Sequence, residues 1–161
     1  IGIIIKIIMK FEQFEMKSLD NKKLNKDKRI TAHLIPYKLN NGFFSFFLQK
    51  RSDNAERNPG RFTIFGGGIE GKESPEQAML REMMEELNFT PHNYFYLDKY
   101  SDDYSVSYYY AVEVRDNFET NIKISEGDYG KFFSEDEVKH EIKLSEGNKG
   151  ILKDLINKIQ K

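Results

Sequence analysis

The sequence predicts a layered α/β domain built on a mixed sheet. Three observations predict it. An Asn40-Asn41-Gly42 turn joins two β-branched and aromatic runs into an early hairpin. A glycine run, Gly66–Gly68, follows a short strand and leads into an amphipathic stretch from Pro75 to Leu87. Near the C-terminus, Ile151, Leu152, Leu155, Ile156 and Ile159 recur at helical spacing, with Lys153, Asp154 and Lys158 opposite. Strands and helices mixed in this order suit layers of helix on sheet.

The 161 residues fit one ordinary domain, long enough to bury a core without staples. There is no cysteine, which excludes disulfides, a thiolate metal site and a cysteine nucleophile. This composition is compatible with a reducing compartment, and a cytoplasmic location is the expectation. The formal net charge of -1 argues against a surface built on bulk positive charge, so nucleic acid is not the expected partner.

The chain starts Ile1-Gly2-Ile3-Ile4-Ile5-Lys6-Ile7-Ile8 rather than with Met, and Met9 and Met16 are alternative starts. The apolar run is far shorter than the roughly 20 residues that span a bilayer, so no membrane association is expected. It lacks the basic leader and small-residue cleavage site of a signal peptide, and reads as an added strand or a disordered tail. Residues 17–29 are polar and lysine-rich and read as a solvated linker. Residues 1–28 are thus an N-terminal extension, and residues 29–161 the folded domain.

Within that domain, residues 30–38 form the first predicted strand. Phe43 to Arg51 returns as a strand buried on both faces. Ser52 to Gly60 is a loop, and residues 61–65 a short strand delivering the chain to the glycines. Tyr94–Tyr100 and Tyr104–Val114 are strands joined by Ser101-Asp102-Asp103; Asn121–Ile124 and Tyr129–Phe133 are shorter strands. Ser134-Glu135-Asp136-Glu137 is a capping box that opens a short helix before the C-terminal one.

The central helix carries the chemistry. Ser74 caps it, Pro75 fits its first position, and Gln77 completes a capping box. Met79, Leu80, Met83, Met84 and Leu87 are read as its apolar arc, with Glu82, Glu85 and Glu86 opposite. Those carboxylates are three and four residues apart, so they are neighbours and repel. They also lie near the helix C-terminus, where the dipole disfavours negative charge. A bound cation relieves both penalties. Carboxylate-rich sites favour Mg²⁺ or Mn²⁺, which commonly bridge protein oxygens to substrate phosphates.

The stretch from Gly67 to Phe89 resembles the Nudix box, G-x5-E-x7-R-E-U-x-E-E-x-G-U, where U is a bulky apolar residue. Gly67, Glu73, Arg81, Glu82, Met83, Glu85, Glu86 and Phe89 occupy the patterned positions in register. The resemblance implies the family's α/β/α sandwich around a mixed central sheet. It departs from the pattern at Asn88, where the family usually has Gly, at a helix end that tolerates Asn in a left-handed conformation. Lys72 replaces a glycine often found before the box glutamate, and Phe65 stands where a proline often precedes the glycines.

What the resemblance implies is metal-dependent hydrolysis of a nucleoside diphosphate linked to another moiety. Glu82, Glu85 and Glu86 would be catalytic metal ligands for Mg²⁺ or Mn²⁺, with the Gly67 carbonyl a further one. Glu73 would assist the metal and water network, and Arg81 would orient the glutamates. Glu126 is the candidate for a carboxylate recruited from a later loop, and Asp128 the next. Arg51 and Arg61, with Lys50, flank the expected cleft and are candidates for touching phosphate. Phe62 is the first candidate to stack on a base, ahead of Tyr104 and Tyr108. His33, His92 and His140 show no ligand spacing and read as structural or surface residues.

The expected substrates are nucleoside triphosphates, oxidised ones included. The alternatives are dinucleoside polyphosphates, another nucleotide derivative, or a Nudix module that senses a nucleotide without cleaving it. Pairing of two copies through the aromatic strands is a further expectation.

Overall fold

Strand β1 (Arg29–Asn40) is the hub of a seven-stranded mixed sheet. In this computed structural model, which describes residues 28–161, one edge of β1 pairs in parallel with β6 (Ser105–Glu113). Its other edge is shared. The N-terminal half takes β4 (Phe65–Gly68) antiparallel, with Ala32 opposite Gly67, and the C-terminal half takes β2 (Phe43–Lys50). Strand β2 also pairs with β3 (Phe62–Thr63) and with β7 (Tyr129–Ser134), and β5 (Phe95–Ser101) closes the far edge beside β6. The Asn41-Gly42 turn takes φ of 52° and 83°, the left-handed pair that Asn-Gly accepts readily in a two-residue hairpin. The expectations for the Ile-rich start, for Met9 and Met16 and for the linker lie outside the described residues, apart from Lys28 and Arg29. Arg29 is the first residue of β1 rather than the last of a linker.

Helix α1 (Pro75–Leu87) covers one face of the sheet; α2 (Glu135–His140) and α3 (Glu146–Ile159) cover the other. Alternation along the strands feeds both layers. Leu34, Phe47, Tyr110 and Val112 pack with Met79, Met83 and Leu87 of α1. Ile35, Phe46, Leu48, Tyr109 and Ala111 pack with Val138, Ile151, Leu152 and Leu155. Strand β2 is buried on both faces along most of its length, as its apolar run predicts. Phe65 is fully buried and stacks on Phe47 at 5.6 Å, so the residue in the family's proline position is a core residue here. This is an α/β sandwich with helices on both faces.

Two sequence expectations need correction. Asn121–Ile124 is not a strand. Its alternation is real, since Ile122 and Ile124 pack against the α1 layer. Its backbone, however, serves the helix end: Lys123 N–H donates to Leu87 O at 2.9 Å and Ser125 N–H to Glu86 O at 2.8 Å. These carbonyls have no partner inside a helix, so the segment satisfies them. The second correction concerns α1 itself. Met84, placed in the apolar arc, is 46% exposed, whereas Glu86, placed opposite, is 2% exposed.

Both ends of α1 follow the sequence closely. The Ser74 hydroxyl accepts from Gln77 N–H at 3.2 Å, and Gln77 Oε1 accepts from Ser74 N–H at 2.9 Å. Asn88 ends the helix at φ 48° and ψ 44°. Only glycine adopts that region at no cost, and Asn is the next best. We therefore expect Asn88→Gly to match or slightly exceed wild-type stability and Asn88→Ala to lose about 1 kcal/mol, near 3 °C in thermal midpoint. Equal midpoints for Ala and Asn would contradict the cap assignment.

Candidate active site

A cleft of about 400 Å³ opens where β4, α1, the end of β2 and the loop before β7 meet. Glycine makes this junction possible. Gly66 sits at φ 134°, and a side chain there would strike the β1 backbone at Ala32 and His33. A side chain at Gly67 would collide with the Glu82 carboxylate. The strand therefore passes flush beneath α1, and the Gly66 N–H donates to Glu86 Oε2 at 2.9 Å.

Glu82 and Glu86 line the cleft. Burial and the neighbouring Glu82 push the Glu86 carboxyl up to about 8, against the pull of the Gly66 N–H. Burial also raises the Glu82 carboxyl, opposed by its bonds to Arg81. Glu126 lines the same cleft and adds to the repulsion felt by both. Its loop is pinned from two sides. Ser125 N–H is held by the C-terminal carbonyl of Glu86, and the Glu126 carbonyl accepts from Gln49 Nε2 at 3.0 Å. Gly127 then turns at φ 75° against the Lys50 backbone. Asp128, the alternative carboxylate, pairs with Lys50 at 3.6 Å and does not line the cleft.

Arg81 organises the outer side. Its Nε and Nη2 grip both oxygens of Glu73 at 2.7 and 3.0 Å. Its Nη1 donates to Glu82 at 2.9 Å and Glu85 at 3.0 Å, and Nη2 also reaches the Gly68 carbonyl at 2.9 Å. The Arg81 fork holds the Glu73 carboxyl below the usual range. Glu73 and Glu85 do not line the cleft; both are partners of the arginine. Glu73 also closes its own turn by accepting from Glu70 N–H at 3.0 Å. Gly71, at φ 53°, supplies the left-handed residue of that turn, so Lys72 is not required to.

The remaining expected residues divide. Arg51 lines the cleft and pairs with Glu126 at 3.7 Å. Arg61 is exposed and lies off the cleft lining. Phe62 is 6% exposed and packs edge-on against Phe133 at 4.7 Å, so its ring belongs to the core and offers no face for stacking. Tyr104 and Tyr108 are also outside the lining. Sequence reasoning missed Arg29, Arg57, Asn58, Gln49, Thr31 and His33, all of which line the cleft. His33 is stacked on Tyr109 at 4.8 Å, with Nε2 and the Thr31 hydroxyl 2.9 Å apart, and burial lowers its pKa to about 4.

Among the described residues, no three carboxylates or imidazoles converge at metal-binding spacing. The donors at the cleft nevertheless fit a hard divalent cation in kind. Glu82, Glu86 and Glu126 offer carboxylate oxygens, and Glu82 and Glu126 lie close enough to Glu86 to raise its proton affinity.

Residues 28–155 match the model of the NUDIX domain. No curated protein sequence matches the chain. Among solved structures, it is similar to a MutT/nudix family protein from Enterococcus faecalis, with 16% identity and a TM-score of 0.67 over 83% of this chain and 62% of that one. It is similar to the NUDIX domain of Shewanella oneidensis NrtR, solved with ADP ribose, with 17% identity and a TM-score of 0.68 over 82% and 88% of the two chains. NrtR has also been solved with a 27mer DNA; there the identity is 17%, the TM-score 0.66, and the shares covered 81% and 61%. A Caenorhabditis elegans Ap4A hydrolase is similar with 19% identity and a TM-score of 0.59 over 82% and 98%. Enzymes of this family generally use divalent metal ions. With the glycine strand, the arginine-held glutamates and the domain match falling on the same residues, the chain belongs to the NUDIX-domain family.

Proposed function

We propose that this protein is a divalent-metal-dependent pyrophosphohydrolase acting on nucleoside triphosphates, oxidised ones included. The observation that carries the reading is the meeting of Glu82, Glu86 and Glu126 in one cleft with Arg51. Glu82, Glu86, Glu126 and the Gly67 carbonyl would hold the cation, and Arg81, which also grips Glu85, would keep Glu82 oriented towards it. Mg²⁺ or Mn²⁺, when bound, neutralises phosphate oxygens and makes water a better nucleophile. In the reaction, water adds to one phosphorus and the bridging P–O bond breaks. The bridging oxygen leaves with the other phosphate product. A cleft carboxylate takes the proton released from water, and Arg51 meets charge on the phosphate oxygens. Residues 29–161 would be the catalytic domain and residues 1–28 an extension. The absence of cysteine favours a cytoplasmic setting.

A second reading is nucleotide recognition without cleavage. It is favoured by the likeness to a NUDIX domain solved with ADP ribose. One panel separates the two: nucleoside triphosphates, dinucleoside polyphosphates, nucleotide sugars, ADP-ribose and capped RNA, each with Mg²⁺ and with EDTA. The expected result is Mg²⁺-dependent cleavage with triphosphates among the best substrates, reduced about 100-fold or more in Glu82→Gln. Thermal stabilisation by a panel member that is never cleaved would give the second reading instead.

A further inference from the structure

Besides the glutamates, the cleft is lined by three arginines: Arg29, Arg51 and Arg57. They come from separate parts of the chain. Arg29 opens β1, and its guanidinium lies over Gly68, where a side chain would come within 3.6 Å of Nη2. Arg51 follows β2. Arg57 rides on the loop to β3, whose path is set by Gly60 N–H on the Ser52 carbonyl at 3.0 Å and Arg61 N–H on the Asn58 carbonyl at 3.2 Å. Burial lowers the proton affinity of Arg29, and Arg57 and Arg51 are close enough to lower it further, with Glu82 and Glu56 opposing them. Only Arg51 has a carboxylate within ion-pair distance among the described residues, at 3.7 Å from Glu126. Arg29 and Arg57 thus keep guanidinium donors that no carboxylate of the described residues takes up directly, and an anion placed between the three arginines also relieves their mutual repulsion.

Glu86 accepts from the Gly66 N–H, a side chain at Gly67 would meet Glu82, and one at Gly68 would come near Arg29, so carboxylates and a guanidinium converge on the same three-glycine strand from its two faces. Gln49, Thr31, Thr63 and Asn58 add neutral polar groups. The chain has 13 Phe and 9 Tyr, but among the described residues none of them lines this cleft. Base stacking on aromatic rings is a main source of affinity for the base of a nucleotide. Here the wall supplies charge and hydrogen bonds instead.

Resting on the hydrolytic reading above, we propose that this cleft recognises the linear polyphosphate chain of its substrate, three phosphates or longer, through Arg29, Arg51 and Arg57, and leaves the base unread. The substrate class is then set by phosphate number. Guanidinium forks suit successive phosphate oxygens and hold them in charge-assisted bonds. A diphosphate seated at the glutamates would leave the arginines partly unfilled.

The test has a binding arm and a kinetic arm, both on the full chain. In EDTA, titration calorimetry compares inorganic tripolyphosphate, pyrophosphate and adenosine. We expect tripolyphosphate to bind about 10-fold tighter than pyrophosphate, and adenosine not to register. The Arg29→Ala/Arg57→Ala double variant should lose about 100-fold in tripolyphosphate affinity with an unchanged thermal midpoint. Arg115→Ala, away from the cleft, should lose nothing. With Mg²⁺, kcat/KM for ATP, GTP, CTP and UTP should agree within about 5-fold. Adenosine binding as tightly as tripolyphosphate, an undiminished double variant, or one base preferred by about 100-fold would overturn the proposal. If no substrate is cleaved while tripolyphosphate still binds through Arg29 and Arg57, the hydrolytic reading fails and the polyphosphate assignment stands.

Discussion

Glu86→Gln should make the metal-free protein more stable at alkaline pH while removing most of its hydrolytic activity. The Glu86 carboxyl is 2% exposed and sits near a pKa of about 8, against 4.5 for the ordinary group. The direction follows from linkage. Below the ordinary value both folded and unfolded chains are protonated, and burial costs little. Between that value and about 8, the folded chain retains a proton that the unfolded chain has released, so stability falls as pH rises. Above the folded value both are ionised and the whole cost is present, up to about 5 kcal/mol at 1.36 kcal/mol per unit. In EDTA the wild-type thermal midpoint should therefore drop by about 10 °C from acidic to alkaline buffer. Gln keeps an oxygen to accept the Gly66 N–H and carries no charge, so the variant's profile should be nearly flat. Mg²⁺ should restore the alkaline midpoint of wild type and leave the variant unchanged. Hydrolysis by the variant should fall by about 100-fold or more. A variant with the wild-type pH profile would show that the carboxylate is not buried as an ion, and full activity would remove Glu86 from the reaction.

How this glutamate was misplaced shows where sequence reading stops. The register of Gly67, Glu73, Arg81, Glu82, Glu85 and Glu86 was legible, because those residues sit at fixed spacing on one strand–loop–helix unit. The orientation of Glu86 was legible too, but only by angle. It lies seven residues after Met79, about 20° around the helix from that core residue. Residue type placed it on a polar arc; geometry places it beside the methionines, where only the Gly66 approach makes a carboxylate tolerable. Met84 was misread for the converse reason, since an apolar residue at the rim of the arc stays in solvent.

Long-range partners were less legible. Glu126 could be named as a candidate, but its position depends on Lys123 and Ser125 satisfying the carbonyls at the end of α1. The alternation of Ile122 and Ile124 imitates a strand because one side packs inward, and nothing local distinguishes the two uses. Arg29 and Arg57 meet only because β4 lies against β1 and the loop after Arg51 folds back over it. A terminal-looking arginine in a lysine-rich run and an arginine in an Asn/Pro/Gly loop carry no such mark. Phe62 failed for another reason. A strand aromatic has two faces to choose between, and β3 is short and bonded to the edge of β2, so its ring turns towards Phe133 and the core.

Arg81 should show the second large effect, and it tests whether the clamp positions the carboxylates or merely neutralises them. Its guanidinium donates to five oxygens: two on Glu73, one each on Glu82 and Glu85, and the Gly68 carbonyl. Arg81→Met leaves Glu82 beside Glu85 and Glu86 with no counter-charge, and frees Glu73 to swing away. We expect the thermal midpoint to fall by about 5 °C or more. Activity should fall about 100-fold, with a clear rise in the Mg²⁺ concentration needed for half-maximal rate, because the Glu82 carboxylate is no longer held over Gly67. Arg81→Lys separates the two explanations. It keeps the charge but cannot reproduce the planar fork, so it cannot hold Glu73 bidentately while reaching Glu82 and Gly68. Positioning predicts that Lys recovers much of the midpoint but little of the Mg²⁺ dependence. Neutralisation alone predicts that Lys recovers both. Glu73→Gln provides the cross-check, since Glu73 lies off the cleft and grips the arginine with both oxygens. Its effect combined with Arg81→Met should be far less than additive, as expected for residues that act as one unit. Additive losses would mean that Glu73 has a role of its own in the cleft and that the clamp is not one device.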